Sequence, residues 1–280
     1  IVNKLKTYWS QFNINRDVAK DIIKVSIGQK EFLEPFSEWE KVLTEIITGD
    51  FFGADRIDYL LRDAKCTGLA YGLFDYNQLI TSLRIIEDNK TLKVGISENG
   101  IESCEALLLA RHFMHKRLYQ YPNVKAYSFH LSRFMAEKYK DINLNIEKYI
   151  SFTDNEVLAD INNASKDPSN PGHIDAKALF SRENRFFAIP LDSNITNNDL
   201  DVIQKLINIP DKDFYFDLSK KSTDTPYMDF PVFREAGQIV KGNDLNMIKV
   251  PSKNRSWLYL SSQWLERVHE EIKKISLYKK

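Results

Sequence analysis

Hydrophobic residues recur at helical spacing near the start of the chain and predict its first elements. Residues 1–26 are predicted to form two helices, and Gly28 closes the second of them. Ser37 and Glu40 have the spacing of a capping box, in which the serine side chain accepts from the third backbone N–H while the glutamate reaches back. A further helix is therefore predicted between Ser37 and Gly49. Its apolar face would consist of Val42, Leu43, Ile46 and Ile47.

The stretch 53–63 reads Gly-Ala-Asp-Arg-Ile-Asp-Tyr-Leu-Leu-Arg-Asp and predicts a helix with two different faces. At about 100° per residue, its polar residues share about a third of the circumference, opposite the apolar ones. The polar face consists of Asp55, Arg56, Tyr59, Arg62 and Asp63. The apolar face consists of Ile57, Leu60, Leu61 and Ala64. The apolar face is predicted to join the core, which leaves the polar face available as a site.

The pattern changes several times over the next residues. Asp75 is placed to cap a helix, which would carry Leu79, Ile80, Leu83 and Ile86. Alternation over Thr91–Ile96 predicts a short strand, and a long helix is predicted from Ile101 to Tyr121, where Pro122 stops it.

The C-terminal half combines helices with short strands. Helices are predicted over 123–139, from a cap at Asp154, over 198–207 and over 262–275, with a loop at Asp167–Gly172. Strands are predicted over 185–189, 213–218, 247–250 and 257–260. The fold class is therefore expected to be mainly α with a small C-terminal α+β lobe. Residues 1–122 are expected to form one helical portion, and residues 123–280 a helical extension with that lobe.

The composition of the chain favours some kinds of partner and cellular location over others. The chain has 280 residues, of which 43% are hydrophobic, so it can bury a sizeable core. Its 39 basic residues balance 39 acidic ones, which makes nucleic acid an unlikely partner and a small phosphorylated molecule the better candidate. Two cysteines, Cys66 and Cys104, fit a reducing compartment, and we expect the protein to be cytoplasmic with no membrane partner.

The polar face of 53–63 has the side chains that phosphate chemistry requires. Asp55 can ligate a hard metal ion, an arginine can bind phosphate, and Asp63 or Tyr59 can bind a sugar hydroxyl. The alternative is a solvated helix surface held together by salt bridges.

This motif, with Thr67-Gly68 and Tyr71–Asp75 after it, resembles the last metal-binding motif of HD-domain phosphohydrolases, and most of all the deoxynucleoside triphosphate triphosphohydrolases, the dGTPase-like enzymes. The resemblance implies the C-terminal part of an HD-domain helical fold. It implies that Asp55 ligates a divalent metal ion (Mg, Mn or Fe), that Arg56 contacts the triphosphate, that Tyr59 packs at the nucleotide and that Asp63 holds the sugar. The family usually reads Asp-x-Asp where this chain has Gly53-Ala54-Asp55.

A second group lies on the predicted helix before Pro122. Arg111, His115 and Tyr119 are spaced i, i+4 and i+8, and the family has a similar run. The resemblance implies that Arg111 meets the terminal phosphate, His115 lies near the triphosphate and Tyr119 lies near the sugar or base. The alternative is a basic helix surface with an aromatic side chain beneath it.

The family's remaining metal ligands, a His and a His-Asp pair, would precede the matched region, whereas the first histidine here is His112. We therefore expect that an upstream HD segment or a partner chain completes the active site, and that no other catalytic residue lies within this chain. The expected activity converts a deoxynucleoside triphosphate to deoxynucleoside and triphosphate, in a homo-oligomer. The alternatives are a catalytically silent nucleotide-sensing or assembly module, and an HD hydrolase of another phosphoester.

Overall fold

The computed structural model describes residues 17–28, 32–140, 146–183, 185–191, 195–217, 230–245 and 256–278. The helices in these ranges are α1 Val18–Ile27, α2 Glu38–Thr48, α3 Ala54–Thr67, α4 Tyr76–Ser82, α5 Ile101–Met114, α6 Pro122–Lys138, α7 Ile146–Ser151, α8 Asp154–Lys166, α9 His173–Phe180, α10 Asn197–Ile207 and α11 Leu265–Tyr278. The strands are β1 Leu83–Asp88, β2 Thr91–Ser97, β3 Phe187–Leu191, β4 Phe214–Asp217, β5 Pro231–Phe233, β6 Ile239–Lys241 and β7 Ser256–Leu260. Helices predominate, so the expectation of a mainly α protein with a small α+β part is confirmed.

The chain divides into two compact units. The first comprises Ile1–His115 and Thr223–Ser252, and the second comprises Lys116–Ser222 and Lys253–Lys280. No helix in the described ranges is both long and apolar enough to cross a membrane.

The first unit contains a four-stranded sheet in the order β1-β2-β5-β6. Strands β1 and β2 form an antiparallel hairpin that closes on Asn89 and Lys90, which both have positive φ. Two successive residues in that conformation characterise a type I′ turn, whose twist matches that of the flanking strands. Strand β5 then joins β2 in parallel, with Ile96 opposite Val232.

Helix α2 lies against this sheet and supplies acceptors for the backbone of β2. Glu38 Oε2 accepts from the Leu92 amide at 3.1 Å, and Glu45 Oε2 accepts from the Val94 amide at 2.9 Å. Backbone amides that lack a strand partner need such acceptors, because an unsatisfied buried amide is costly. The glutamates therefore fix both the height and the rotation of α2 on the sheet.

A nearly buried ion pair holds α1 against α2. Lys24 Nζ donates to both oxygens of Glu40 at 2.9 Å and to the Pro35 carbonyl at 2.7 Å. Glu40 also accepts from the Ser37 amide at 2.7 Å and completes the predicted capping box. Lys24 first, and the Ser37 amide second, lower the pKa of the Glu40 carboxyl from 4.5 to about 2.

The second unit contains a three-stranded antiparallel sheet in the order β3-β7-β4. Helices α10 and α11 contribute their apolar faces to the core beside it. That core includes Leu200, Ile203, Ile207, Phe214, Leu258, Leu260, Val268 and Ile272.

A buried polar network lies elsewhere in the second unit. His130 Nδ1 lies 2.8 Å from Asp175 Oδ1, and the Phe186 amide donates to His130 Nε2 at 3.0 Å. Since Nε2 accepts, the ring proton lies on Nδ1 and is donated to Asp175. Arg133 Nε lies 3.3 Å from the other oxygen of Asp175, so the buried carboxylate has a counter-ion. Both ring nitrogens of His130 therefore make hydrogen bonds within the fold.

Several element predictions are confirmed, with ends shifted by a few residues. These are the second N-terminal helix, the helix after Ser37, the strand at 91, and the later strands and helices at 187, 197, 214, 256 and 265. The helix placed at an Asp154 cap begins at Asp154 but is capped by Thr153. The first of the two N-terminal helices and the strand at 247–250 lie outside the described residues.

Two predictions from periodicity need correction. The helix capped by Asp75 ends at Ser82, and Leu83 and Ile86 lie in β1, because the Asn89–Lys90 turn folds this segment back as a hairpin. The long helix is α only to Met114 and continues as a π-helix over His115–Tyr119. Helix α9 and the β5–β6 hairpin were not predicted.

Glu40→Gln tests the ion pair through its dependence on pH. Since the folded-state pKa of Glu40 is lowered, its contribution to stability is fully present above about pH 4.5 and is lost as the pH falls toward 2. We expect Glu40→Gln to be markedly less stable than wild type at pH 6, with the difference narrowing by pH 2. Urea unfolding at a series of pH values measures this, and a difference that stays constant from pH 6 to 2 would contradict it.

Candidate functional site

Helix α3 has the two faces that its sequence predicts. Ile57, Leu60 and Ala64 are buried, and Asp55 is exposed. Tyr59 and Asp63 are half-buried on the other face. Three of the four predicted core residues are therefore confirmed as buried, Leu61 is half-buried, and the polar face is partly exposed.

Arg56 does not extend freely into solvent. Its Nε donates to the Gly49 carbonyl at 3.0 Å, and its Nη2 donates to Asp50 Oδ1 at 2.7 Å. Its side chain is 22% exposed, whereas that of Asp50 is 82% exposed. The turn that ends α2 therefore orients the guanidinium group at the start of α3.

Arg111 reaches the same turn from a different helix. Its Nη1 donates to the Asp50 carbonyl at 2.8 Å. One side of α5 is buried through Cys104, Leu107, Leu108, Ala110 and Met114, and Arg111 lies half-buried on this same side. The structure thus brings two of the predicted phosphate-binding residues, Arg56 and Arg111, to adjacent positions on a single turn.

Aromatic packing holds this turn in place. The ring centroids of Phe51 and Phe52 lie 4.7 Å apart, and both lie within 5.0 Å of the Phe230 centroid. Phe52 and Phe230 are buried. The sequence analysis selects none of these three phenylalanines. Phe51 and Phe52 lie between Gly49 and Gly53, which was the available signal for those two, whereas nothing local marks Phe230.

Close packing at Gly72 brings α3 and α5 together. A Cβ at this position would lie 2.6 Å from Ala64 Cβ, 2.7 Å from the Leu60 carbonyl and 3.2 Å from Met114 Cγ. Because real Cβ atoms do not approach backbone so closely, glycine sets the distance between the two helices that position the arginines.

The other two residues of the second group, His115 and Tyr119, belong to different units. His115 is half-buried at the end of the first unit, whereas Tyr119 belongs to the second unit. The α-helical spacing that predicted one stripe ends at Met114, where the helix becomes π. A π segment inside a helix is frequent at functional sites, but the i+8 register to Tyr119 does not hold as an α-helical stripe.

The described residues do not by themselves make a metal centre. Asp55 is exposed, and its Oδ1 accepts from the Arg56 amide at 2.7 Å. Within the described ranges, no group of three or more His, Cys, Asp or Glu side chains could hold a metal ion. Asp55 can supply one carboxylate ligand, and the remaining ligands of a metal site would come from elsewhere.

Gly53 explains why a carboxylate is absent two residues before Asp55. A Cβ at position 53 would lie 2.5 Å from the Gly49 carbonyl oxygen and 2.7 Å from Asp55 Oδ1. The Gly53 amide also donates to that carbonyl at 3.2 Å, so the backbone cannot move aside without losing this bond. The turn that anchors the arginines therefore excludes any side chain at this position.

Comparison with known proteins finds a family match over part of the chain. Residues 74–208 match the family described as HD associated region, a range that includes Arg111, His115 and Tyr119 and excludes the 53–63 motif. An uncharacterized protein of Methanocaldococcus jannaschii is 35% identical over 130 residues, which cover 44% of this chain and 29% of that protein. The chain thus spans less than a third of this relative.

Two solved structures share the fold. A hypothetical protein from Aquifex aeolicus has a TM-score of 0.72 at 24% identity, over 96% of this chain and 68% of that one. A phosphohydrolase from Bacteroides thetaiotaomicron has a TM-score of 0.64 at 18% identity, over 93% of this chain and 71% of that one.

Gly53→Asp tests whether the turn excludes a side chain. We expect it to lower the free energy of unfolding by about 1–3 kcal/mol, the usual cost of overpacking, because the new Cβ meets backbone. Ala54→Asp is the matched control, since it adds the same carboxylate one residue later at an exposed position. Denaturant unfolding measures both, and equal stabilities of the two variants would refute the steric account.

Residues 74–208 are therefore similar to the HD associated region, and the two solved structures show that the chain shares their fold.

Proposed function

We propose that the chain is part of an HD-type metal-dependent phosphohydrolase that cleaves deoxynucleoside triphosphates to deoxynucleoside and triphosphate. The observation that carries the proposal is the convergence of Arg56 and Arg111, from two helices, on the Gly49–Asp50 turn. Arginine presents several N–H donors in a planar fork that suits phosphate oxygens. Two such groups on one fixed turn suit a ligand with several adjacent phosphates.

The proposed roles follow the chemistry of the side chains. Arg56 and Arg111 neutralise negative charge on the phosphates, and this stabilisation is largest when the groups are already oriented before the reaction. Asp55 contributes one ligand to a divalent metal ion, which would polarise a phosphate and activate water when bound. The resemblance assigns Tyr59 and Asp63 to the nucleoside, His115 to the triphosphate and Tyr119 to the sugar or base.

Support for a hydrolase comes from the HD-associated match and from the fold shared with a phosphohydrolase. The specificity for deoxynucleoside triphosphates rests on the resemblance of the 53–63 motif. Completion of the active site by residues outside this chain, assembly into a homo-oligomer and a cytoplasmic location are parts of the same proposal.

A nucleotide-sensing module is the second candidate. The observation that favours it is that the described residues hold no complete set of metal ligands. Such a module would bind nucleotide through the same arginines but release no triphosphate in any extended form of the protein. A hydrolase of another phosphoester would release product from a different substrate. Measuring both binding and product release distinguishes these three functions.

Asp55→Ala in the full-length protein is expected to abolish release of triphosphate from deoxynucleoside triphosphates in Mg²⁺, Mn²⁺ or Fe²⁺. The fold should be retained because Asp55 is exposed. Asp58→Ala is the matched control, since Asp58 is an exposed carboxylate on the same helix, paired with Arg62. We expect the 280-residue chain alone to be inactive. Unchanged turnover in Asp55→Ala would remove the metal role, and robust turnover by the chain alone would show that the proposed ligand set is wrong.

Arg111→Ala is expected to weaken binding of a deoxynucleoside triphosphate by about 2 kcal/mol, the typical cost of losing a hydrogen bond to a charged group. Isothermal titration calorimetry measures the affinity. Arg62→Ala also removes one positive charge, but from an exposed arginine that is paired with Asp58. It should bind nearly as well as wild type. If Arg111→Ala matches Arg62→Ala, Arg111 does not contact the phosphates.

A further inference from the structure

Asp50 was not among the residues predicted from the sequence, although both arginines depend on it. Its carboxylate accepts from Arg56, whereas its backbone carbonyl accepts from Arg111. The two contacts are separable, because a substitution of the side chain removes the first and leaves the second. The Gly49 carbonyl would also continue to orient Arg56 through its Nε.

The two side chains of the Arg56–Asp50 ion pair differ in their exposure to solvent. The Asp50 side chain is 82% exposed and that of Arg56 is 22% exposed. The arginine is thus fixed by the fold, while the carboxylate lies at the surface and can rotate away at little cost. An ion pair whose carboxylate lies in water contributes little to stability, so an incoming anion can replace that carboxylate.

The backbone around Asp50 is held in place, although the Asp50 side chain lies at the surface. Phe51 and Phe52 pack on Phe230, and Gly53 donates to the Gly49 carbonyl, so the backbone on both sides of Asp50 is held. Rotation of the Asp50 side chain alone would therefore be enough to free Nη2 of Arg56.

We propose that Asp50 is the resident counter-ion of Arg56, and that a phosphate group of the substrate displaces its carboxylate while the Asp50 carbonyl continues to position Arg111. This inference rests on the proposed function, because it assumes that Arg56 and Arg111 bind phosphate. Asp50 thereby sets the affinity: its carboxylate competes with the ligand, which limits binding of weakly charged anions and favours ligands that carry several phosphates. It is a positioning residue, since it acts through Arg56 and Arg111.

The test measures binding of inorganic triphosphate to the full-length protein by isothermal titration calorimetry. Asp50→Ala and Asp50→Asn are expected to bind about two- to fivefold more tightly than wild type, which corresponds to the range for an exposed ion pair. Asp50→Glu keeps a carboxylate and should remain close to wild type. A merely structural role would predict the opposite sign, namely weaker binding when Asp50 is lost.

Asp58→Ala is the matched control for net charge. It removes an exposed carboxylate that is paired with Arg62 rather than with Arg56, and we expect its affinity for triphosphate to equal that of wild type. Tighter binding by Asp58→Ala to the same extent would overturn the proposal, because the effect would then be one of overall charge.

The outcomes separate this inference from the function on which it rests. Binding by wild type, with equal or weaker binding by Asp50→Ala, overturns the counter-ion role and leaves the proposed function standing. Absence of triphosphate binding in wild type and in every Asp50 variant overturns both.

Discussion

The backbone amides of Leu92 and Val94 in β2 donate to the carboxylates of Glu38 and Glu45 in α2. This contact determines where α2 lies. A carboxylate that bonds a strand amide must sit within about 3 Å of it, so two such bonds about two helical turns apart leave α2 little freedom to slide or rotate. The Lys24–Glu40 pair then adds α1 to the same helix from another side.

The position of α2 in turn determines the candidate site. The helix ends at Gly49, and the next residue provides the carboxylate and carbonyl that hold Arg56 and Arg111. A shift of α2 by one residue would move both acceptors away from the arginines. Sheet, helix and phosphate-binding residues are thus linked by hydrogen bonds rather than by apolar packing alone, and such bonds specify direction as well as distance.

The sequence predicts the elements whose signals are local and consistent. Ser37 and Glu40 predict the start of α2, and Gly49 predicts its end. The apolar spacing in 53–64 identifies the buried face of α3. The sequence was misleading at Leu83 and Ile86, because apolar residues three apart share one face of a helix, yet both residues lie in β1. The deciding signal was Asn89, a residue that tolerates positive φ and permits the hairpin turn. The π-helix after Met114 has no such local signal.

The residues of the candidate site also fall into those that the sequence predicts and those that it does not. Residue types and spacing were enough to select Arg56 and Arg111, but not Asp50, because its importance lies in a carbonyl and a turn that the spacing of side chains does not encode. Gly53 shows the same limit from the other direction. Compared with the family pattern, position 53 lacks a carboxylate. In the structure, the absence of a side chain lets the backbone of residue 53 approach the Gly49 carbonyl, the same oxygen that orients Arg56. A carboxylate at position 53 and an arginine held by the Gly49 carbonyl require the same space. The chain has the arginine contact, and the absence of the carboxylate follows from it.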